Sequence, residues 1–132
     1  MSHADTFIPV ADDCPATTAL PPPAGRAVPS RALLEFELLQ GAPCSLDHDA
    51  LNHEIHCRQR AAVGDAPLAR DKFLAKGHPC LRASSLTRRY GWGAHYDTQG
   101  KIAIFPMESS AYSALANDNP TRKLKAMRNK RG

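Results

Sequence analysis

The sequence predicts an α+β fold, with a small antiparallel sheet packed against several helices. Three observations carry this reading. TFIPVA, residues 6–11, alternates and is rich in strand formers. WGAHYD and KIAIFPME, joined by DTQG, read as a β-hairpin: Asp97 opens a type I turn and Gly100 takes the left-handed position after it. The remaining segments carry helix caps and helical spacing. A lone hairpin is marginally stable at best, so the N-terminal strand is its natural third partner. One face of that sheet must then be buried under helices, which gives two layers.

Taken in order, Pro9 inside the first strand argues for a place at the sheet edge, and DDCP closes it. Residues 15–29 hold five prolines, PPP among them, and read as an extended, polyproline-like segment on the surface. Such a segment can cover the domain or dock in a partner's aromatic groove. SRALLEFELLQG, 30–41, has Ser30 as N-cap and Gly41 as stop, with Leu34 and Leu38 one helical turn apart. LEFEL also alternates and leaves a strand open; the helix is preferred. Ser45 is expected to cap a second helix over 46–61, with Asp47 and Asp49 in its first turn and Leu51 and Ile55 facing the core. PLARDKFLAKGHP, 67–79, reads as a third helix that starts at Pro67 and ends at Gly77 and Pro79. SSLTRRYG is a short turn of helix capped by Ser84. SSAYSALAND is a further helix, and Asn119 with Pro120 is expected to start a last, basic one.

The 132 residues suit a single domain. Alanine supplies 21 of the apolar residues, so the core is modest. The charge is uneven: residues 1–118 carry 11 Lys/Arg against 13 Asp/Glu, while 119–132 carry six Lys/Arg and no acid. The chain is therefore read as an α+β domain over 1–118 followed by a basic helix or tail over 119–132. Such a tail attracts phosphate backbones, acidic partners or anionic membrane without specificity, and equally serves as a solvated end.

Residues 1–20 lack a basic start followed by an apolar run, and no apolar stretch approaches the length of a membrane span. The expectation is a soluble, cytoplasmic protein with no membrane association. Its cysteines, at 14, 44, 57 and 80, are then mostly reduced. They contain no C-x-x-C, which excludes a zinc ribbon and a thioredoxin motif. G-x-S-x-G, the P-loop and G-x-G-x-x-G are also missing. No cofactor is expected.

Two stretches hold residues of chemical interest. In DHDALNHEIHC, helical spacing sets Asp49, His53, His56 and Cys57 on one face, a donor set suited to zinc or nickel. Surface histidines produce the same string, and it departs from the zincin pattern because position 57 is cysteine. In HPCLRASSLTRRYGWGAHYD, residues 78–97, Cys80 lies two residues from His78 and two from Arg82. A nearby cation favours thiolate. Arg88 and Arg89 follow, with Tyr90 and Trp92 beside them. His95 and Asp97 share one face of the hairpin's first strand. Cys80, Arg82, His95 and Asp97 could bind a phosphate or carboxylate, or activate a thiol. The structural alternative makes Cys80 core and Arg82 a carbonyl cap.

TFIPVADDCP, KGHPCLRASSLTRRYGWGAHYDTQGKIAIF and KAMRNKR together resemble a bacterial family of small proteins defined by a domain of unknown function. The likeness spans nearly the whole chain. The family pattern reads TFI-x-VA-x-DCP, then CLRAS-x-L-x-KRYGWG-x-H-x-D, then K-x-MR-x-KR. Matching positions include Asp13, Cys14 and Pro15 near the start. In the middle they include Cys80, Arg82, Arg89, Tyr90, Trp92, His95 and Asp97. The histidine-rich helix departs from the family, whose members carry apolar and aromatic residues around 51–58. The resemblance also pairs Cys14 with Cys80 as the cysteines inside matching motifs, as a thiol pair or as ligands of one site.

The leading expectation is a binding module for an anionic ligand, a phosphate or carboxylate compound or nucleic acid. Arg82, Arg88, Arg89 and His95 would hold the ligand, with Tyr90 and Trp92 at its side. The alternative is a thiol-dependent enzyme or redox protein, with Cys80 as nucleophile, His95 as base, Asp97 orienting it and Cys14 as resolving thiol.

Overall fold

A computed structural model describes residues 3–118 and 120–129. The order is β1 (Thr6–Ile8), α1 (Arg31–Gly41), α2 (His48–Ala62), α3 (Arg70–Leu74), α4 (Ser85–Arg88), β2 (Trp92–Tyr96), β3 (Ile102–Pro106), α5 (Ser110–Ala116) and β4 (Arg122–Lys123). The fold is α+β, as the pattern of strands and caps predicts.

The sheet runs β3-β2-β1-β4. The hairpin forms as read. Asp97 N–H donates to Lys101 O, Gly100 N–H donates to Asp97 O, and Gly100 takes φ +77°. β1 pairs antiparallel with β2, setting Phe7 opposite His95 and Ile8 opposite Ala94.

Two expectations about the sheet are corrected. It is mixed, because β4 pairs parallel with β1. β1 also lies inside the sheet, not at its edge. The strand ends at Ile8, so the N–H that Pro9 lacks falls outside the ladder, and Pro9 contributes only its carbonyl, to Ala126 N–H.

The basic C-terminal segment supplies that last strand. Arg122, Leu124 and Ala126 donate their N–H groups to Asp5, Phe7 and Pro9. Donation from every second residue is the spacing of a parallel ladder. These bonds consume the backbone groups that a helix would need, so a short strand stands at Arg122–Lys123 and no helix forms over 120–129 where one was expected. Asn119, the expected cap, lies outside the described residues, as do Lys130 and Arg131.

Alternation assigns the two faces. Ile8, Trp92, Ala94, Tyr96, Ile102 and Ile104 face the helical layer, where Leu34, Leu39, Leu51, Ile55, Leu81 and Leu86 complete the core. On the other face, Tyr112 of α5 lies over Phe7 with its ring edge-on at 5.1 Å, and its hydroxyl accepts Val10 N–H at 2.9 Å.

The helices follow their caps. Ser30 accepts Leu33 N–H, Ser84 accepts Leu86 N–H and Ser109 accepts Tyr112 N–H. Asp47, not Ser45, caps α2: its carboxylate accepts Ala50 N–H at 2.8 Å, a stronger charge-assisted bond than a hydroxyl makes. α3 is five residues long, against an expected helix over 67–79. The Leu68 N–H and C=O both bond to histidines of α2, which holds the preceding stretch extended.

The proline segment covers the domain. Leu20 N–H donates to Tyr90 O, and Trp92 Nε1–H donates back to Leu20 O. Under the helices, the fully buried Glu35 carboxylate accepts from Ser84 Oγ and Arg31 Nε, and Arg31 also donates to Asn52.

Gly93 makes the Tyr112 contact available. A Cβ there would stand 2.6 Å from a Tyr112 ring carbon and 2.7 Å from Phe7 Cζ. Gly93→Ala is therefore expected to cost about 2 kcal/mol, as overpacking does, measured as a lower urea midpoint at unchanged slope.

Candidate functional site

The chemistry-bearing residues gather at two cavities near opposite ends of α4. The first, about 400 Å³, is lined by His3, Gly77, His78, Cys80 and Arg82. The second, about 350 Å³, is lined by Asp13, Pro15, Arg89 and Asn129.

The first cavity is assembled from three parts of the chain. Cys80 and Arg82 sit on the loop before α4, which Ser84 caps. Leu81 N–H reaches the buried Tyr96 hydroxyl at 3.4 Å, which fixes that loop on the end of β2. Arg82 is oriented from the other side: its Nε donates to Lys125 O at 2.8 Å, and its own carbonyl accepts Met127 N–H.

His3 comes from the chain leading into β1. Its ring meets Tyr96 edge-on at 5.1 Å, and its Nε2 is buried with no hydrogen-bond partner among the described residues. Burial, helped by the positive charges of Arg122 and Arg82, holds this imidazole below its ordinary value, so it is neutral at neutral pH. His78 is differently employed. It stacks on Phe73 at 3.9 Å, and its Nε2 donates to Phe73 O at 2.8 Å.

At the second cavity the C-terminal segment is fastened down. Asn129 donates its N–H and its side-chain amide to the Asp13 carboxylate. Arg89 Nε donates to Asn129 Oδ1, Asn129 Nδ2 donates to Arg88 O, and Arg88 donates to Arg128 O. Among the described residues the buried Arg88 Nε has no hydrogen-bond partner. These arginines thus cap carbonyls and amides of the closing segment, and Lys125 pairs with Asp12 at 3.0 Å.

The structure brings Cys80 and Arg82 together, and it separates the other residues expected beside them. His95 follows Ala94 and precedes Tyr96 on β2, so it points to the α5 face while Tyr96 points toward Cys80. Asp97 binds the N–H groups of Gln99 and Lys101 and is a turn residue. Trp92 is core, edge-on to Phe36 at 5.3 Å, and Tyr90 packs beside it under the proline segment. Cys14 lies at the far end of α4, near Ala11, whose N–H donates to Thr87 O, while Cys80 lies at the near end. All four cysteines are free.

The histidine-rich face of α2 clasps a loop. His56 Nε2 accepts Leu68 N–H at 2.9 Å and His53 Nε2 donates to Leu68 O at 3.1 Å. Cys57 lies 3.7 Å from that His53 nitrogen, and Asp49 sits a turn earlier. Among the described residues no group of three or more His, Cys, Asp or Glu is placed to hold a metal ion.

His3 is the residue that sequence reasoning missed. No spacing signal marks it, since its partners in the cavity lie 74 to 79 residues away in the chain.

The arrangement defines a small α+β domain whose three motifs meet along one seam, between β1, the loop before α4 and the closing segment. The chain belongs to the family of unknown function DUF6157, whose model matches residues 1–132. No curated protein and no solved structure matches it. Among the described residues, no helix is long and apolar enough to cross a membrane.

The α2 clasp is pH-dependent. Burial, with Arg60, His53 and His78 adding to it, holds His56 below its ordinary value of 6.5. Below that pH the unfolded chain takes up the proton first, so the stability from His56 is complete above it and declines as the pH falls. Protonated Nε2 cannot accept Leu68 N–H. The Leu68 amide resonance is therefore expected to titrate together with the His56 ring.

Proposed function

We propose that this protein is a small binding module for an anionic ligand, a phosphate- or carboxylate-bearing compound, held in the cavity of His3, His78, Cys80 and Arg82. The observation that carries this reading is the unpartnered, buried His3 Nε2 in the same cavity as Arg82. The Arg82 guanidinium is anchored through Nε, and among the described residues its two amino groups make no hydrogen bond. A planar fork beside an imidazole suits a doubly charged oxyanion. An anion there would also offset the positive charge that Arg82 and Arg122 place around His3.

A small ligand is favoured over nucleic acid. Arg88 and Arg89 hold the closing segment, and Lys125 of that segment pairs with Asp12, so part of the positive charge around it is committed to the fold. Four free thiols in a chain of this size suit the reducing cytoplasm of a bacterium.

Titration with inorganic phosphate, followed by NMR, tests the reading. The His3 ring and the Cys80–Arg82 amides are expected to shift in wild type. Arg82→Ala is expected to weaken binding by about tenfold or more, the worth of a charge-assisted bond. Unchanged affinity in Arg82→Ala, or shifts confined to Arg88, Arg89 and Asn129, would overturn it.

A further inference from the structure

We propose that Cys80 is a nucleophilic thiol and His3 its proton acceptor, acting on a small electrophile that carries its own carboxylate or phosphate, with Arg82 binding that anionic group. The inference rests on the anion-binding reading of the same cavity and adds a covalent step to it.

The assignment of the base follows by elimination. Of the described residues lining the cavity, only His3, His78, Cys80 and Arg82 have side chains that exchange protons or carry charge. Arg82 stays cationic. His78 is committed to the Phe73 carbonyl and stacked on the Phe73 ring. His95, the expected base, points to the other face of the sheet, and Asp97 is spent on the turn. The Tyr96 hydroxyl is pushed well above its ordinary value by burial and remains a neutral hydroxyl. That leaves His3, whose Nε2 has no partner. Its depressed basicity keeps it neutral, the form that accepts a proton.

Cys80 is half-buried and lines the cavity together with Arg82. In the step itself, a bond forms between Sγ and the electrophilic carbon as the bond from that carbon to its leaving group breaks. The leaving group departs with the electron pair, and the thiol proton passes to His3 Nε2. No oxidant or reductant is required.

Iodoacetate and iodoacetamide test this directly, because they share one reaction and differ in the carboxylate. In the first, Sγ displaces iodide from a carbon that bears the anion. Native protein is treated with each reagent, and labelling is assigned cysteine by cysteine by mass spectrometry. The exposed Cys44 serves as the reference thiol in the same tube. Relative to Cys44, Cys80 is expected to prefer iodoacetate by about tenfold, the worth of one charge-assisted contact. Inorganic phosphate should suppress that preference in wild type, which reads the anion site without a variant. Arg82→Ala should abolish the preference, read as the ratio of iodoacetate to iodoacetamide labelling at Cys80 within the variant. His3→Gln should slow both reagents at Cys80 by about a hundredfold near neutral pH, the scale of general-base assistance. In alkali, where the thiol ionises unaided, the His3→Gln rate should rejoin that of wild type.

The proposal is overturned if Cys80 shows the same reagent preference as Cys44, or if His3→Gln leaves the neutral rate unchanged. If phosphate still shifts the His3 ring in that case, the binding reading stands and only the thiol chemistry falls. If phosphate neither binds nor protects, both fall.

Discussion

A single buried carboxylate holds the helical layer to the loop on which the candidate site stands. Glu35 has no exposed surface, and removing a charge of that kind from water costs several kcal/mol before any partner is found. Burial accordingly raises its pKa, against the opposing pull of Arg31 and of its hydrogen bonds from Ser84 and Arg31. The arrangement persists because each oxygen of the carboxylate is met: Arg31 on one side, Ser84 on the other. Ser84 is also the cap of α4, so its one hydroxyl donates to Glu35 and accepts from Leu86 N–H. The bond therefore reaches from α1 to the turn that carries Cys80 and Arg82. Arg31 extends the network to Asn52, and Asn52 to the His48 carbonyl, which ties in α2. Three helices and the site loop are registered by one ionisable group.

The basic C-terminal segment is the second organising element. Its positive charges read as an electrostatic footprint in the linear sequence. In the fold the described part of the segment lies along a seam where Arg88 and Arg89 bond to Arg128 O and the Asn129 side chain, Lys125 pairs with Asp12, and Asp13 accepts from Asn129. Composition reports how much charge is present; only the fold shows how much of it is already used.

The legible parts of this chain were those set by local rules. Ser30 and Ser84 cap helices because hydroxyls accept from N–H groups two or three residues on, and that relation is written in adjacent positions. DTQG specifies its turn for the same reason. The missed parts were set by distant partners. β4 is two residues long and has no alternation to detect; its strand geometry comes from Asp5, Phe7 and Pro9. α3 was shortened by histidines some twelve to fifteen residues away, which hold Leu68 extended. For the site, the cluster from Cys80 to Arg82 could be picked out by its residue types. Its completion by His3 could not, because Tyr96 and the loop before α4 are what set that imidazole beside them. The grouping of His95 with Cys80 failed on strand alternation, which sets neighbours in sequence on opposite sides of a sheet.

The pairing of β4 with β1 has a consequence for how the protein is made. Thr6 is matched with Arg122, so the sheet joins nearly the first described residues to nearly the last. Contacts this far apart are slow to form, because the intervening chain must first be ordered. During synthesis β1 emerges from the ribosome long before its parallel neighbour exists, and until then one side of it presents unpaired backbone groups that invite pairing with other chains. β1 is thus a strand that waits for its partner. A nascent chain stalled after β3 would hold a hairpin, three of the four strands and an open edge. Synthesis of the segment around Arg122–Ala126, more than any early helix, is the event that completes this sheet.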